Sequence, residues 1–316
     1  MTQAFGANVT LLHVLEGHDA PDAAVNPVDW QLQRIQAQSY LDTYRTRLSH
    51  LMPQTPNLQV IEGSAATGII EYAQSQNFDL VALCSHGHSG LNGWNVSSVV
   101  QKVIDRARKS ILLVRAHEPS PLSLAEDGSG FHYRRILVPL DGSQRAESVL
   151  PMVTALARHH NAELLVVHVV ARPELIQRVP LAPEDAALME QVMERNRAQA
   201  MRYFAALQTH LPLTSQLQIE VGTGVAATLH GLVEESASDL VVLCAHGYSG
   251  QRQRPYGSVA TSFLTYGTTP LLILQDLPPD EILLSKAERT FEEVPHQPHA
   301  RQGQMNGHWM DAHVVP

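Results

Sequence analysis

Short apolar runs alternate along the chain with longer segments whose apolar residues recur every three to four positions. The run from Glu163 to Val170 is continuous and rich in β-branched residues, which is typical of a strand buried on both faces of a parallel sheet. Residues 144–160 instead carry apolar side chains at helical spacing. Because strands and helices alternate throughout, the pattern predicts an α/β fold with a mainly parallel sheet and right-handed crossovers.

One segment of the sequence occurs twice. Residues 79–90 and 239–250 are identical at 9 of 12 positions, and the offset of 160 also relates the apolar runs 111–114 and 271–274. Two copies at this distance indicate two domains of one fold rather than a short-period solenoid. In each copy a strand leads into a Gly-rich turn and then a helix, which is where α/β folds bind ligands.

The second copy carries the complete set of predicted elements. Strands are expected at 135–140, 163–170, 217–222, 239–245 and 271–275, and helices at 144–160, 183–209, 225–236 and from about 258. The first strand ends in Asp141-Gly142-Ser143, which are turn residues.

The first copy lacks the counterpart of that first strand and of the helix after it. Its strands are expected at 9–16, 58–63, 79–85 and 111–115, and its helices at 28–51, 66–76 and 97–109. Phe5-Gly6-Ala7 resembles the end of a first helix. Either the true start codon lies upstream of Met1, or the first copy is truncated and its gap closes by re-pairing or with a partner chain. We expect the upstream start.

The domain boundaries follow from these patterns and from composition. We predict a truncated first domain at 1–115, a linker at 116–131 that is rich in Pro, Ser and Gly, and a complete second domain at 132–275. The polar, irregular residues 276–316 are expected to form a disordered tail.

Composition narrows the class of protein. The net charge of −9 and the lack of a Lys/Arg-rich stretch argue against nucleic-acid binding. The chain start does not read as a signal peptide, and no apolar run is long enough to cross a bilayer, so no membrane partner is expected. Cys84 and Cys244 occupy equivalent positions in apolar strands, which predicts buried thiols in a reducing compartment. These features predict a cytoplasmic protein.

The repeated turn of the second domain has the chemistry of an anion site. Gly247 ends a strand, and a residue without Cβ lets backbone amides approach an anion. Gly257-Ser258 opens a helix whose unpaired amides favour phosphate, and Ser258 adds a hydroxyl or serves only as the helix cap. Asp141 follows a neighbouring strand and could bind ribose hydroxyls or a divalent ion, or be only a turn residue.

At these residues the sequence resembles the universal stress protein family. The resemblance rests on Ile136 to Ser143, on His168-Val169, on Ala245-His246-Gly247 and on Gly257-Ser258-Val259. The ATP-binding members of that family show G-x2-G-x9-G-[ST], and the second domain reads Cys244-x2-Gly247-x9-Gly257-Ser258. The resemblance implies two tandem doubly wound, Rossmann-like sheets of five parallel strands in the order 3-2-1-4-5, the first lacking its first strand and helix.

The resemblance also implies a ligand and the residues that hold it. ATP with Mg or Mn would bind the second domain, with adenine and ribose near Pro139, Leu140, Asp141 and Val169. The phosphates would lie near His246, Gly247, Gly257, Ser258 and Val259. Cys244 replaces a glycine of the pattern, and the first domain reads Cys84-x2-Gly87-x9-Ser97-Ser98 with no counterpart of Asp141. The first domain is therefore expected not to bind nucleotide.

Several other residues have competing interpretations. His13 and His168 end equivalent strands and are predicted to be structural. His86 and His246 lie in the loops and could contact phosphate or only order the loop. Arg252 and Arg254 could reach a triphosphate or be simply exposed.

The leading hypothesis is a regulatory stress-response protein whose two domains pack as an intramolecular pseudo-dimer, with a further homodimer and a regulatory protein partner possible. No nucleophile or general base stands out, so catalysis beyond slow ATP hydrolysis or autophosphorylation is not expected. One alternative is an interaction module of the same fold that binds no nucleotide. An adenine-nucleotide α-hydrolase is disfavoured because Leu140 to Gln144 lacks an SGGxDS-like loop, and a P-loop kinase because no GxxxxGK[ST] occurs.

Overall fold

The computed structural model describes residues 1–16, 27–85, 97–115, 132–173, 182–212, 215–248 and 254–276. The predicted linker at 116–131 and the tail beyond Asp276 lie outside the described residues, as do His86 and Arg252. We use "first half" for residues 1–115 and "second half" for residues 132–276.

The elements of the first half follow the predicted order. They are α1 (Thr2–Phe5), β1 (Thr10–Leu15), α2 (Pro27–Ser49), β2 (Asn57–Glu62), α3 (Ala65–Ser75), β3 (Leu80–Cys84), α4 (Ser98–Arg106) and β4 (Ser110–Val114). Helix α1 ends at Gly6, whose φ of 62° is the left-handed conformation that glycine adopts without strain.

The second half contains the remaining described elements. They are β5 (Arg135–Pro139), α5 (Gln144–Glu147), α6 (Leu150–His160), β6 (Glu163–Ala171), α7 (Pro183–Leu207), a 3-10 turn (Gln208–His210), β7 (Ser215–Gly222), α8 (Val225–Glu235), β8 (Leu240–Cys244), α9 (Ser258–Tyr266) and β9 (Leu271–Leu274). The single helix predicted at 144–160 is two helices. Pro151 lies in the first turn of α6, where its missing amide is tolerated and where a helix readily begins.

The strands form one large sheet and one small one. Seven strands lie in the order β3-β4-β9-β8-β5-β6-β7, and β1 and β2 form a separate parallel pair. All neighbours in the large sheet are parallel except β4 and β9. The α/β class with mostly parallel sheets agrees with the expectation, and the strands of the second half run β7-β6-β5-β8-β9. The prediction of one sheet for each half, the first lacking its first strand, is wrong, because β4 and β9 join the halves and β1 and β2 form a separate pair.

The small sheet marks the position of the missing strand. In the second half β5 lies between β6 and β8 and pairs with both. Among the described residues of the first half no strand occupies the corresponding position between β1 and β3, and these two strands belong to different sheets. The alternative that the gap closes by re-pairing is therefore wrong for this structure.

Alternate residues of the central strands enter the cores on opposite faces of the large sheet. In β8, Val241 and Leu243 pack in one cluster with Phe263 of α9, whereas Leu240 and Val242 pack in another cluster. Val153 and Leu156 of α6 belong to this second cluster. All five residues of β8 are buried, as a continuous apolar strand requires. None of the described helices combines the length and apolarity needed to cross a bilayer.

Leu272→Ala tests the strand pair that joins the halves. Leu272 is 0% exposed and lies opposite Leu112 where β4 meets β9. We expect the substitution to lower the free energy of unfolding by about 2–5 kcal/mol, because it removes buried methyl groups and leaves a cavity. Urea titration measures the change. Leu188→Ala on the outside of α7, where Leu188 is 60% exposed, should change it by no more than about 0.5 kcal/mol. Equal effects of the two substitutions would contradict the assignment.

Candidate functional site

A cavity of about 440 Å³ opens at the carboxyl ends of the central strands of the second half. All nine predicted site residues line it: Pro139, Leu140, Asp141, Val169, His246, Gly247, Gly257, Ser258 and Val259. They come from the ends of β5, β6 and β8 and from the start of α9, which are far apart in the sequence. The cavity is thus a single place where the predicted residues meet.

One side of the cavity is apolar. Val167 and Val169 of β6, Leu243 of β8, and Val225 and Leu229 of α8 contribute this surface. Of these residues, the sequence motif predicts only Val169. The signal that could have found Val225 is its position directly after β7, because the loops that follow parallel strands lie at the same edge of the sheet.

Asp141 links the two loops that border the cavity. Its Oδ1 accepts hydrogen bonds from the amide (2.9 Å) and hydroxyl (2.6 Å) of Ser143, which is a local turn. Its Oδ2 accepts a hydrogen bond from the Tyr248 amide at 2.5 Å. The chain can turn here because Gly142 has a φ of 83°. Asp141 is therefore a turn residue and also the connection between the β5 and β8 loops.

The carboxylate of Asp141 explains why position 247 requires glycine. A Cβ added to Gly247 would overlap Oδ2 of Asp141. The lack of a side chain at Gly247 therefore allows the carboxylate of Asp141 to lie close to the backbone. A larger residue at 247 would separate the two loops.

Helix α9 points its first turn at the cavity. Gly257 precedes the helix and its amide donates to Ala245 O at 2.7 Å, so a Cβ there would lie only 3.3 Å from the same oxygen. Gly257, not Ser258, is the N-cap, and no side chain caps the helix. The α9 amides are thus available to an anion, and the first turn contains no acidic residue. In the first half Ser97 caps α4 with its own hydroxyl, which accepts from the Val100 amide at 3.4 Å.

His246 is held from both sides of its ring. Its Nδ1 lies 2.7 Å from Oδ1 of Asp276 and its Nε2 donates to Arg254 O at 2.8 Å, and the side chain is 0% exposed. Burial disfavours the charged ring, but the hydrogen bonds to Asp276 and to the Arg254 carbonyl outweigh it, so the pKa of His246 is raised. Of the two roles left open for His246, the geometry fits the ordering of the loop.

The sequence pattern places Asp276 in the tail, but the structure places it against His246, which lines the cavity. It follows β9 and lies 5% exposed beside His246, with Nε of Arg145 3.6 Å from its Oδ2. Burial raises the pKa of Asp276, but the hydrogen bond from His246 opposes this and the net shift is downward. The sequence feature that could have identified Asp276 is a single carboxylate directly after a buried strand.

The two cysteines differ. Cys244 is 7% exposed and packs in the cluster that contains α6, with Ser148 Oγ 3.8 Å from its sulfur. Burial raises the pKa of its thiol to about 11. Cys84 is exposed, so the prediction that both thiols are buried is wrong for Cys84. In the second half the corresponding face of β8 packs against α6, and no described helix of the first half takes that place on β3.

The remaining candidate residues have structural contacts. His168 Nδ1 lies 2.9 Å from Leu140 O, which agrees with a structural histidine. The ring of His13 packs edge-on against Tyr40. Arg254 lines the cavity. Among the described residues no group of three or more His, Cys, Asp or Glu side chains could hold a metal ion.

The first half supports the wall of the cavity directly. The hydroxyl of Tyr256, which lines the cavity and is 4% exposed, donates to Lys109 O at 3.2 Å. Nη2 of Arg115 donates to Phe263 O (2.7 Å) and Leu264 O (2.9 Å) of α9. Neither Tyr256 nor Arg115 was selected from the sequence. The interface between the two halves therefore helps to form the wall of the cavity.

Comparisons with known proteins give a consistent result. A model of the universal stress protein family matches residues 1–115 and 132–275. Universal stress protein A homolog 1 of Coxiella burnetii is 27% identical over 141 residues, covering 45% of this chain and 95% of that protein.

Solved structures also resemble the chain over most of its length. A universal stress protein from Archaeoglobus fulgidus shares 16% identity with a TM-score of 0.56, covering 87% of this chain and 90% of that one. A functionally unknown protein of Pseudomonas aeruginosa shares 15% identity with a TM-score of 0.58, covering 89% and 96% of the respective chains. At these identities the likeness shows the fold alone.

Asp276→Asn tests the buried pair with His246. Because the pKa of His246 is raised, its stabilising contribution is present below the ordinary value of about 6.5 and is lost as pH rises through the folded pKa. Because the pKa of Asp276 is lowered, its contribution is present above about 3.8 and is lost as pH falls through the folded pKa. We therefore expect the variant to lose the most unfolding free energy, about 3–5 kcal/mol, between roughly pH 4 and 6.5.

The measurement is urea unfolding from pH 4 to 9. The matched control is Asp42→Asn, which breaks an exposed ion pair with Arg45 and should cost about 0–1 kcal/mol. A loss for Asp276→Asn that is independent of pH would contradict the charged pair.

Proposed function

Because the chain belongs to the universal stress protein family, we propose that its second half binds ATP with a divalent ion and that the bound state has a regulatory output. One observation carries the proposal: the nine residues selected from the motif line a single cavity at the carboxyl ends of β5, β6 and β8. The strand order changes direction at β5, since β6 lies on one side and β8 on the other. Ligands of open α/β sheets bind at such a point.

The apolar side of the cavity suits a flat base. Val167, Val169 and Leu229 offer aliphatic surface next to Pro139 and Leu140. The volume of about 440 Å³ falls within the range of small-molecule sites, roughly 300–1,000 Å³.

The polar part of the cavity lining suits a polyphosphate. The uncapped first turn of α9 presents its amides, and Ser258 adds a hydroxyl at the same place. The dipole of α9 favours negative charge at this end. Arg254 lines the cavity and adds positive charge. Asp141 also lines the cavity, and its carboxylate can bind ribose hydroxyls or a divalent ion carried by the phosphates.

The groups around the cavity favour binding over catalysis. Both ring nitrogens of His246 are engaged by Asp276 and Arg254 O, and the thiol of Cys244 is buried with a raised pKa. Among the described residues that line the cavity, neither of these two groups is therefore available as a base or nucleophile. This arrangement supports the proposal that bound nucleotide has a regulatory role.

An interaction module that binds no nucleotide is the second candidate. It is favoured by the contacts of Asp141, whose two oxygens already accept hydrogen bonds from Ser143 and Tyr248. A ligand at Asp141 has to share or displace these donors. In this alternative Asp141 serves only to hold the loops together.

Calorimetric titration of Mg-ATP into the full chain separates the two candidates. We expect saturable binding at one site and a roughly 10- to 100-fold weaker affinity for Asp141→Ala, since a hydrogen bond to a charged group contributes about 1.5–3 kcal/mol. AMP should bind more weakly than ATP because it places fewer charges at α9. Asp185→Ala, at an exposed position in the first turn of α7, should bind as the wild type does.

A second variant distinguishes loss of binding from loss of folding. Val169→Phe fills the apolar side of the cavity and leaves the contacts of Asp141 in place. It should abolish binding while the thermal midpoint without nucleotide stays near that of the wild type. No heat and no thermal stabilisation of the wild type at millimolar Mg-ATP would remove the nucleotide proposal and favour the interaction module.

A further inference from the structure

His246 lies between two hydrogen-bond acceptors. Its Nδ1 is 2.7 Å from Oδ1 of Asp276, and its Nε2 is 2.8 Å from the backbone oxygen of Arg254. A neutral imidazole carries a hydrogen on only one of its ring nitrogens, whereas an imidazolium carries one on each. Both contacts can therefore be hydrogen bonds at the same time only when the site holds one additional proton. The side chain is 0% exposed, so bulk water does not reach it to replace a lost partner.

The neutral ring keeps its contact with Asp276 and gives up the contact with Arg254. Asp276 is 5% exposed, and its Oδ2 accepts no hydrogen bond from the described residues, with Nε of Arg145 at 3.6 Å. Nδ1 of His246 is thus the side-chain donor that satisfies this buried carboxylate. A buried charge without a donor costs more than a carbonyl without one, so the remaining hydrogen stays on Nδ1. Nε2 then presents a lone pair to the Arg254 oxygen, and this contact becomes repulsive.

Arg254 is the residue whose position this contact controls. Its side chain lines the cavity in which the phosphates are proposed to bind. Two neighbouring contacts do not involve His246. Pro255 O accepts a hydrogen bond from Nε2 of Gln275 at 3.1 Å, and the Gly257 amide donates at 2.7 Å to the residue that follows β8. The start of α9 therefore stays attached when the His246 contact breaks, and the change is confined to the backbone and side chain of Arg254.

The groups around His246 allow its proton to be lost near neutral pH. The charged and titratable groups nearby are Cys244 at the end of β8, Asp141 and Arg145 after β5, Arg254 and Tyr256 before α9, and Asp276 after β9. Burial alone would lower the pKa of His246, and the charge of Arg145 acts in the same direction, but the hydrogen bonds to Asp276 and to Arg254 O reverse this and raise it. Burial raises the pKa of the Cys244 thiol to about 11, so this thiol stays neutral while the ring titrates.

We propose, on the premise that the second half binds nucleotide, that His246 and Asp276 are positioning residues, which hold Arg254 toward the nucleotide phosphates only while the pair keeps its additional proton. The ring itself does not bind phosphate, because both of its nitrogens face protein acceptors. Nucleotide affinity therefore falls as pH rises through the folded pKa of His246, which lies above about 6.5. By linkage, bound nucleotide makes the proton on His246 harder to remove.

Two substitutions of His246 separate its two contacts. The amide nitrogen of glutamine takes about the place of Nε2, and that of asparagine takes about the place of Nδ1. His246→Gln therefore keeps a donor for Arg254 O at every pH, whereas His246→Asn keeps a donor only for Asp276. We expect His246→Gln to bind Mg-ATP equally well at pH 6 and pH 9. His246→Asn should bind at both pH values as weakly as the wild type does at pH 9.

Calorimetric titration of Mg-ATP into the full chain from pH 6 to pH 9 measures these affinities. We expect the wild-type affinity to fall about three- to tenfold over this range, the effect of one lost hydrogen bond. Arg254→Gln, at an exposed position, should bind more weakly at pH 6 and show no such fall. His50→Gln, which replaces an exposed histidine of the first half, should keep the wild-type dependence. Protonation of ATP itself is common to all variants and cancels in the comparison.

Nitrogen NMR of the imidazole rings supplies a readout that needs no nucleotide. The His246 signals are identified by their absence from His246→Gln. We expect both ring nitrogens of His246 to carry hydrogen at pH 6, and Nε2 to lose its hydrogen as pH rises. Mg-ATP should move this loss to higher pH. A merely structural histidine would not respond to nucleotide in this way.

The outcomes separate this inference from the proposed function. Absence of Mg-ATP binding by the wild type at every pH would contradict the proposed function and the positioning role together. Binding that falls with pH equally in the wild type, His246→Gln and Arg254→Gln would overturn the positioning role alone, as would a neutral His246 ring at pH 6. If His246→Gln does not fold, Arg254→Gln decides, because a fall with pH equal to that of the wild type contradicts control through Arg254.

Discussion

The antiparallel pairing of β4 with β9 is the interaction on which the rest of the molecule depends. It joins Ile111, Leu112 and Leu113 to Ile273, Leu272 and Leu271, and five of these six residues are at most 1% exposed. Through this pairing, strands of both halves belong to the large seven-stranded sheet. The same junction places Lys109 against Tyr256 and Arg115 against the end of α9, so the cavity of the second half is built partly on the first.

This arrangement gives a physical reason for two unequal copies. The second half carries Asp141, whose carboxylate connects two loops and requires glycine at 247, and an uncapped α9. Among the described residues of the first half no strand occupies the place of β5, and Ser97 caps α4 with its hydroxyl. One copy thus retains the geometry of an anion site. The other supports the wall of that site through Lys109 and Arg115.

The sequence predicted local features well because they depend on nearby residues. Apolar runs and helical spacing located the strands and helices to within a few residues, and the motif selected nine residues that meet in one cavity. Contacts set by tertiary packing were missed. Asp276 reads as the start of a polar tail until β9 brings it to His246. Repeat symmetry predicted burial of Cys84, but among the described residues no helix packs on its face of β3 as α6 packs on Cys244.

The central claim is that the start of α9 receives the phosphates of a nucleotide. Hydrogen exchange of the full chain with and without Mg-ATP tests it at the amides concerned. The account predicts slower exchange at 257–260 and at 247–248, with no change at 97–100, the corresponding turn of the first half. Equal exchange at 257–260 under conditions where ATP is bound would contradict it, because the ligand would then lie elsewhere.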